Sequence, residues 1–269
     1  MSIRPHWLVV VCACLLGCQS LIAPAPTAAE PDRATQFWEQ GQEAMRRGQP
    51  REAVGFYQRS LALDAGLTRN HLSLAAAYLE QGDQPAACVH LRSYVQTNPH
   101  HLAARIHLAD LQLRLQRWTD ARLEFERCVA SAQDRSEPAE GPLLHCHARL
   151  MEIAEEAEDG YNEHLHRGIG LCLLACQRAA LPDPDGELST ESLLCKAAGE
   201  LTLAQNDRPE EARPNWYLYR VWDMLDQRQT ALRCLRAAAD AAPFSRLTAA
   251  EKRLVHVQSQ CLAQAPQAK

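Results

Sequence analysis

No stretch of this 269-residue chain runs Val, Ile and Thr in apolar–polar alternation. That removes the strand signature and leaves essentially no sheet to expect. Aromatics make up only 6% of residues although 46% are hydrophobic; Ala and Leu carry the apolar content, which favours helices. A basic surplus is missing as well. The formal net charge is −5, with no basic stripe, which argues against nucleic acid as the main partner. The apolar run Trp7–Gly17 is about eleven residues, short of the about 20 that a bilayer-spanning helix needs. Motifs of chemistry are absent too: no Gly-x-Ser-x-Gly elbow, phosphate loop, dinucleotide fingerprint or His-Glu-x-x-His. The acidic cluster Glu152, Glu155, Glu156 and Glu158 reads as a solvated helix face. Without a convergent nucleophile, base and donor set, no catalytic residue, cofactor or enzymatic activity is expected.

What is present is a repeat with a period of thirty-four residues. Ala53, Ala87 and Ala121 mark it. Large apolar residues follow four positions later (Tyr57, Leu91, Phe125), and small ones stand twelve earlier (Gly41, Ala75, Ala109). Gly48, Gly82 and Gln116 hold a turn position, and Ala65, Pro99 and Gln133 a break. A further unit at 212–245 contributes Leu218, Trp222, Ala231, Leu235, Ala238 and Pro243. The pattern is that of a repeated helical hairpin. Small residues let two helices cross closely, large ones fill the space beside the crossing, Gly makes the turn and Pro ends the second helix.

This pattern resembles the tetratricopeptide repeat family, over three tandem units at 34–135 and a fourth at 212–245. Phe37, His71 and Arg105 stand where the family often has Trp. The resemblance implies an all-α, right-handed α-solenoid of stacked antiparallel helix pairs. Its first helices would line a concave groove for an extended peptide or partner helix. The groove positions are then Trp38, Gln42 and Met45 from the first unit, Arg69, Leu72, Ala76 and Leu79 from the second, and Ile106, Asp110 and Leu113 from the third. The alternative is packing, with Trp38 capping the stack and Leu72, Ile106 and Leu113 covered by a neighbouring helix. Members that clamp a C-terminal carboxylate use Lys, Asn and Arg. The matching places here hold Trp38, Gln42, Ser73, Ala103 and His107, so that ligand is not expected.

The N-terminus reads as a targeting segment. Arg4, the apolar run and Leu15-Leu16-Gly17-Cys18 make residues 1–17 a signal peptide that resembles the bacterial lipoprotein type, in which the Cys becomes the lipid-modified N-terminus. Two or more acyl chains anchor stably. Cys18 is therefore the expected lipidation site, and residues 18–33, with Pro24, Pro26 and Pro31, a stiffened tether. By the same resemblance, Gln19 after the Cys points to the outer membrane.

Beyond the tandem units, 136–211 reads as degenerate helical repeats with loops. A helix is expected over about Leu143–Glu158, a turn at Asp159-Gly160 that comes several residues late for the period, and a second helix to about Ala180. A third follows over about Glu191–Gln205, capped by Ser189 or Thr190. A terminal capping helix spans 246–263, opened by the capping box Thr248–Glu251, with Leu247, Ala250, Leu254, Val257 and Cys261 on its inner face. Of the eleven cysteines, eight lie beyond residue 18. Most read as small buried hydrophobes, with one or two bridges expected among Cys146, Cys172, Cys176 and Cys195. Cys172 and Cys176 share a helix face and could grip one ion. His145, Cys146 and His147 point about 100° apart and could not share one, so no metal is expected.

The sequence therefore predicts a membrane-anchored interaction scaffold of the bacterial envelope that holds a segment of a protein partner. Two other readings stay open: a self-oligomerising module, and a metal or redox sensor built on Cys146, Cys172, Cys176 and Cys195.

Overall fold

A computed structural model describes residues 30–134, 140–180 and 189–264. Twelve α-helices and no strand are found among them, so the fold is all-α. The signal peptide, Cys18 and nearly all of the tether lie outside the described residues. The helices fall into two compact units, one ending at Asn70 and one beginning at His71.

The first unit is a hairpin of α1 (Glu30–Arg46) and α2 (Pro50–Leu63), followed by the opening residues of α3 (Arg69–Glu80). Helix α1 begins inside the expected tether. Asp32 in the first turn suits a helix N-terminus. Small residues at the crossing act as expected. A Cβ on Gly41 would stand 2.4 Å from Tyr57 Cε1, and Ala44, Ala53 and Tyr57 are buried beside it. Ser60 donates to the Ala34 carbonyl at 2.5 Å and accepts from Asn70 Nδ2 at 2.9 Å.

The second unit continues with α4 (Gln84–Thr97), α5 (Leu102–Arg114), α6 (Trp118–Gln133), α7 (Glu140–Glu156), α8 (Gly160–Ala179), α9 (Thr190–Asp207), α10 (Ala212–Met224), α11 (Arg228–Ala241) and α12 (Ala249–Gln264). From α4 onward each helix packs on the next; α10 also reaches α8, and α12 returns to α6. Ala75, Ala87 and Leu91 are buried in one layer, Ala109, Ala121 and Phe125 in the next, and Ala231, Leu235 and Ala238 near the end. Side chains cap the starts of several helices: Asp83 accepts from the Ala86 amide, Asp159 from Asn162 and Ser189 from Ser192.

The hairpin turns keep the beat. Left-handed backbone occurs at Gly48, Gly82, Gln116, Glu158 and Asp226. The first three are 34 residues apart, Glu158 follows 42 after Gln116, and Asp226 follows 68 after Glu158, two full periods. The α7–α8 turn is therefore late by eight residues, yet the hairpin is internally in register. His71, Arg105 and His147 each stand eleven residues before their left-handed turn. Each also meets a partner nineteen residues on, in the second helix: His90, Glu124 and His166. The extra residues accumulate ahead of this hairpin. One period then passes with a lone helix, α9, which packs against α8 and α10.

Two expectations are corrected. On α12, Leu247, Ala250 and Val255 are buried, whereas Leu254 and Val257 are 50% and 52% exposed and Cys261 is exposed. The helix is rotated because its inner face carries Glu251, 2% exposed, whose polar partners set the docking angle. No disulfide joins any of the eight described cysteines. Each is accommodated as a thiol, and Cys88, Cys128, Cys146 and Cys172 are buried as small apolar groups.

Candidate partner-binding site

The capping box at the start of α12 forms reciprocally. The Thr248 amide donates to Glu251 Oε2 at 2.8 Å and the Glu251 amide to Thr248 Oγ1 at 3.2 Å. The same carboxylate then ties α12 to α10. Arg213 Nε of α10 donates to Oε2 at 3.1 Å, and Tyr217 Oη donates to Oε1 at 3.2 Å. Gln133, at the end of α6, donates to Tyr217 Oη at 3.2 Å and accepts from Thr248 Oγ1 at 2.6 Å. Arg253 pairs with Asp134 beside them. A buried carboxylate is tolerated only when paired and hydrogen-bonded. Arg213 supplies that pairing, its side chain 23% exposed and that of Glu251 3%. Burial pushes the Tyr217 phenol up, and the nearby Glu251 charge adds to the shift.

Against this knot lies a second buried pair. His147 Nδ1 of α7 faces His166 Nδ1 of α8 at 3.0 Å. One proton between the two nitrogens satisfies both, so the pair is neutral. Burial holds both imidazoles below their ordinary range. His166 falls to about 3, with Arg213 adding to the effect. His147 lies well below the usual value through burial, then His166 and Arg213. His147 Nε2 is buried and has no hydrogen-bond partner.

Two openings border this polar centre. One, of about 180 Å³, runs past Tyr161, His166, Arg213 and Glu251. Over Tyr161 sits the Arg208 guanidinium, 4.2 Å from the ring centroid, and burial, then Glu211, raises the Tyr161 phenol to about 12. The other is a cavity of about 370 Å³ lined by Leu143, Leu173, Trp216, Tyr219, Arg220 and Leu254, among others. Its walls combine aromatic and aliphatic side chains with polar and charged ones, Gln133, Asp223, Glu251 and Gln258 among them, and such a mixture suits an amphipathic ligand. The exposed Leu254 and Val257 lie one turn apart on α12 beside it.

The groove positions read from sequence differ in exposure. In the first unit Trp38 is half-buried beneath the Arg69 guanidinium, 4.2 Å from the ring centroid, and Gln42 and Met45 are half-buried. In the second unit Ala76 and Leu79 are exposed, while Leu72 and Ile106 are half-buried and pack on the core. Leu113 is 8% exposed within the core, so its place is in packing. Asp110 ties successive first helices together, accepting from His145 Nε2 at 3.0 Å and pairing with Arg149 at 3.5 Å.

The histidines and cysteines separate as their helix angles require. His145 turns to Asp110, Cys146 to Cys128 and His147 to His166, while His164 meets Glu200 at 2.7 Å. Cys195 is exposed on α9, whereas Cys146 and Cys172 are buried. The four-cysteine sensor set is therefore not assembled. Among the described residues no group of three or more His, Cys, Asp and Glu side chains is placed to hold a metal ion, and no helix is long and apolar enough to cross a membrane. The acidic cluster is exposed: Glu152 pairs with Arg149 and Glu155 with Arg167.

Residues 46–128, under a third of the chain, match the profile of the family described as anaphase-promoting complex, cyclosome, subunit 3. This match supports the tetratricopeptide resemblance of the tandem units. No curated protein matches the chain in sequence. Among solved structures it is similar to MamA 41-end from Desulfovibrio magneticus RS-1, at 16% identity, 80% of this chain, 98% of that one and a TM-score of 0.39. It is also similar to PilF of Pseudomonas aeruginosa, at 12% identity, 86% and 99% coverage and a TM-score of 0.40. A third is YrrB, described as a TPR protein with an unusual peptide-binding site, at 14% identity, 88% and 100% coverage and a TM-score of 0.35.

Sequence reasoning missed the cavity. It placed the groove on the first three units by period, and the cavity depends on α12 returning to α6, a long-range contact no period encodes. One signal was available: Trp216, Tyr217, Tyr219 and Trp222 crowd four aromatics into seven residues of α10, in a chain otherwise poor in them.

Proposed function

We propose that this chain is a scaffold of the bacterial envelope that binds a segment of another protein. The observation that carries this reading is the 370 Å³ cavity of the second unit, continued by exposed Leu254 and Val257 on α12. An opening of mixed apolar and polar walls, continued by exposed apolar side chains, marks a contact surface. The segment it fits is amphipathic, with a bulky apolar residue for the space between Trp216, Tyr219 and Leu254. The partner also meets the first-helix positions Leu72, Ala76, Leu79, Ile106 and Asp110 of the second unit. Trp38, Gln42, Met45 and Arg69 form a separate contact patch on the first unit. The scaffold acts by binding rather than by chemistry.

The membrane attachment rests on the sequence of residues 1–33. Cleavage before Cys18, lipid modification of that residue and the Pro-bearing tether hold the repeats near the outer membrane on its periplasmic side. Replacing Cys18 by Ser is expected to release the protein from the membrane fraction; retention there would overturn the anchor.

The binding site is tested with a photo-crosslinking residue placed at Leu254 in the native host, against the same residue at exposed Val89 of α4. The reading expects one discrete heterologous adduct from Leu254 and none from Val89. Adducts of equal yield from both, or of the chain with itself alone, would overturn it, the latter in favour of self-association.

A further inference from the structure

Helices α8 and α10 face each other with two side-chain pairs, each one helical turn long: Cys172 and Cys176 on α8, Arg220 and Met224 on α10. Cys172 and Cys176 are four residues apart, so their side chains lie one above the other on one face of α8. Cys176 Sγ lies 3.8 Å from Met224 Sδ. Three sulfur atoms are thus gathered at one helix junction. We propose that Cys172, Cys176 and Met224 form a three-coordinate site for a cuprous ion.

The geometry suits an ion between them. Two sulfurs 3.8 Å apart, each bonded to one ion at about 2.3 Å, subtend about 110°, within the range open to a three- or four-coordinate centre. The donor set selects the metal. Thiolate and thioether are soft ligands that favour Cu(I), whereas Mg²⁺, Ca²⁺ and Mn²⁺ need oxygen donors, and structural Zn²⁺ takes four ligands drawn from Cys, His and carboxylate. A thioether as third donor also explains why this place stands outside groupings of His, Cys, Asp and Glu.

Charge balance points the same way. Binding converts two thiols to thiolates and releases two protons to solvent, with no change in oxidation state. The resulting centre carries one negative charge. Arg220 lines the same cavity as Cys176, where the charges of both thiols and of Glu251 act on it. A guanidinium held largely away from water beside two thiols is a ready counter-charge for a bound anionic centre. Access is provided as well. Cys176 and Arg220 line the 370 Å³ cavity, and Met224 is 40% exposed. An ion can therefore meet Cys176 and Met224 first and take Cys172 as its inner ligand. The proposal is independent of the partner reading, because it needs no second protein.

The test is an anaerobic titration of the full chain with Cu(I), using bicinchoninate as the competing chromophore, followed by X-ray absorption. To silence exposed thiols, the parent carries C195S and C261S. The expected result is one tightly held Cu(I) per chain with a sulfur-only shell of three atoms. Met224→Leu, which conserves shape, weakens binding at least about tenfold, and Cys176→Ser abolishes it. Both sites are partly exposed, so melting by circular dichroism stays near that of the parent. Binding unchanged in both variants, a shell containing nitrogen or oxygen, or Zn(II) outcompeting Cu(I) at equal concentration would overturn the site.

Discussion

The α5–α6 and α7–α8 hairpins place different chemistry at one register. In the first, Arg105 Nη1 meets Glu124 Oε2 at 2.6 Å, with side chains 11% and 12% exposed, and Arg127 closes on the same carboxylate from outside. In the second, the equivalent positions hold His147 and His166, 3% and 8% exposed, facing each other as a neutral pair. The first hairpin keeps an outer side open to water and can carry an ion pair. The second has α9 packed on α8, and Arg213 and Glu251 nearby. A charged pair there would have to shed its remaining hydration, and that cost commonly exceeds the attraction between the charges. The repeat therefore conserves a meeting point, and burial decides which chemistry fills it. Half-buried His71 and His90, 3.1 Å apart between α3 and α4, sit between these extremes.

The largest way to break the comparison is acid. The unfolded chain takes up protons on histidine near pH 6.5, whereas burial holds His166 at about 3 and His147 well below its usual value. A depressed histidine contributes stability that is full above about pH 6.5 and lost as pH falls from there toward the folded value. At pH 5 that is about 2 kcal/mol for His166 alone, and His147 adds a loss of the same sign. Urea unfolding at pH 7.5 and 5 should show it, and His166→Leu should flatten the dependence. The ion pair gives the next effect: Glu124→Ala strands the Arg105 charge and should cost about 3 kcal/mol, read from the same denaturation curves at pH 7.5. Packing in the second hairpin comes after that. A Cβ on Gly168 would stand 2.7 Å from Leu201 Cγ and 3.2 Å from its backbone nitrogen. Gly168→Ala should therefore lose about 1–3 kcal/mol by pushing α9 off α8. The smallest effect has the opposite sign. Glu158 turns the hairpin at a φ of 52°, so Glu158→Gly should gain about 1 kcal/mol and raise the melting temperature by a few degrees.

Much of the fold is written locally in the chain. The small residues at 41, 75 and 109 and the large ones at 57, 91 and 125 repeat because each hairpin makes the same crossing, and Thr248 and Glu251 cap α12 through three residues of backbone. What depends on contact between distant helices was not legible. The rotation of α12 follows from Glu251 finding Arg213 and Tyr217, so Leu254 and Val257 turned outward where periodicity put them inward. The histidines of 145–147 could be separated from one another by helix angle, but their partners, Asp110 and His166, stand 35 and 19 residues away. Leu113 carried the groove's spacing yet lies in the core, since spacing gives a face and only packing says what covers it.

The neutral buried pair is tested most directly by hydrogen exchange on the intact protein at pH 7.5 and pH 5, corrected for the intrinsic rate. The account predicts that α7 and α8 lose protection at pH 5 while α5 and α6 keep theirs. Equal loss in both hairpins, or none in either, would contradict it.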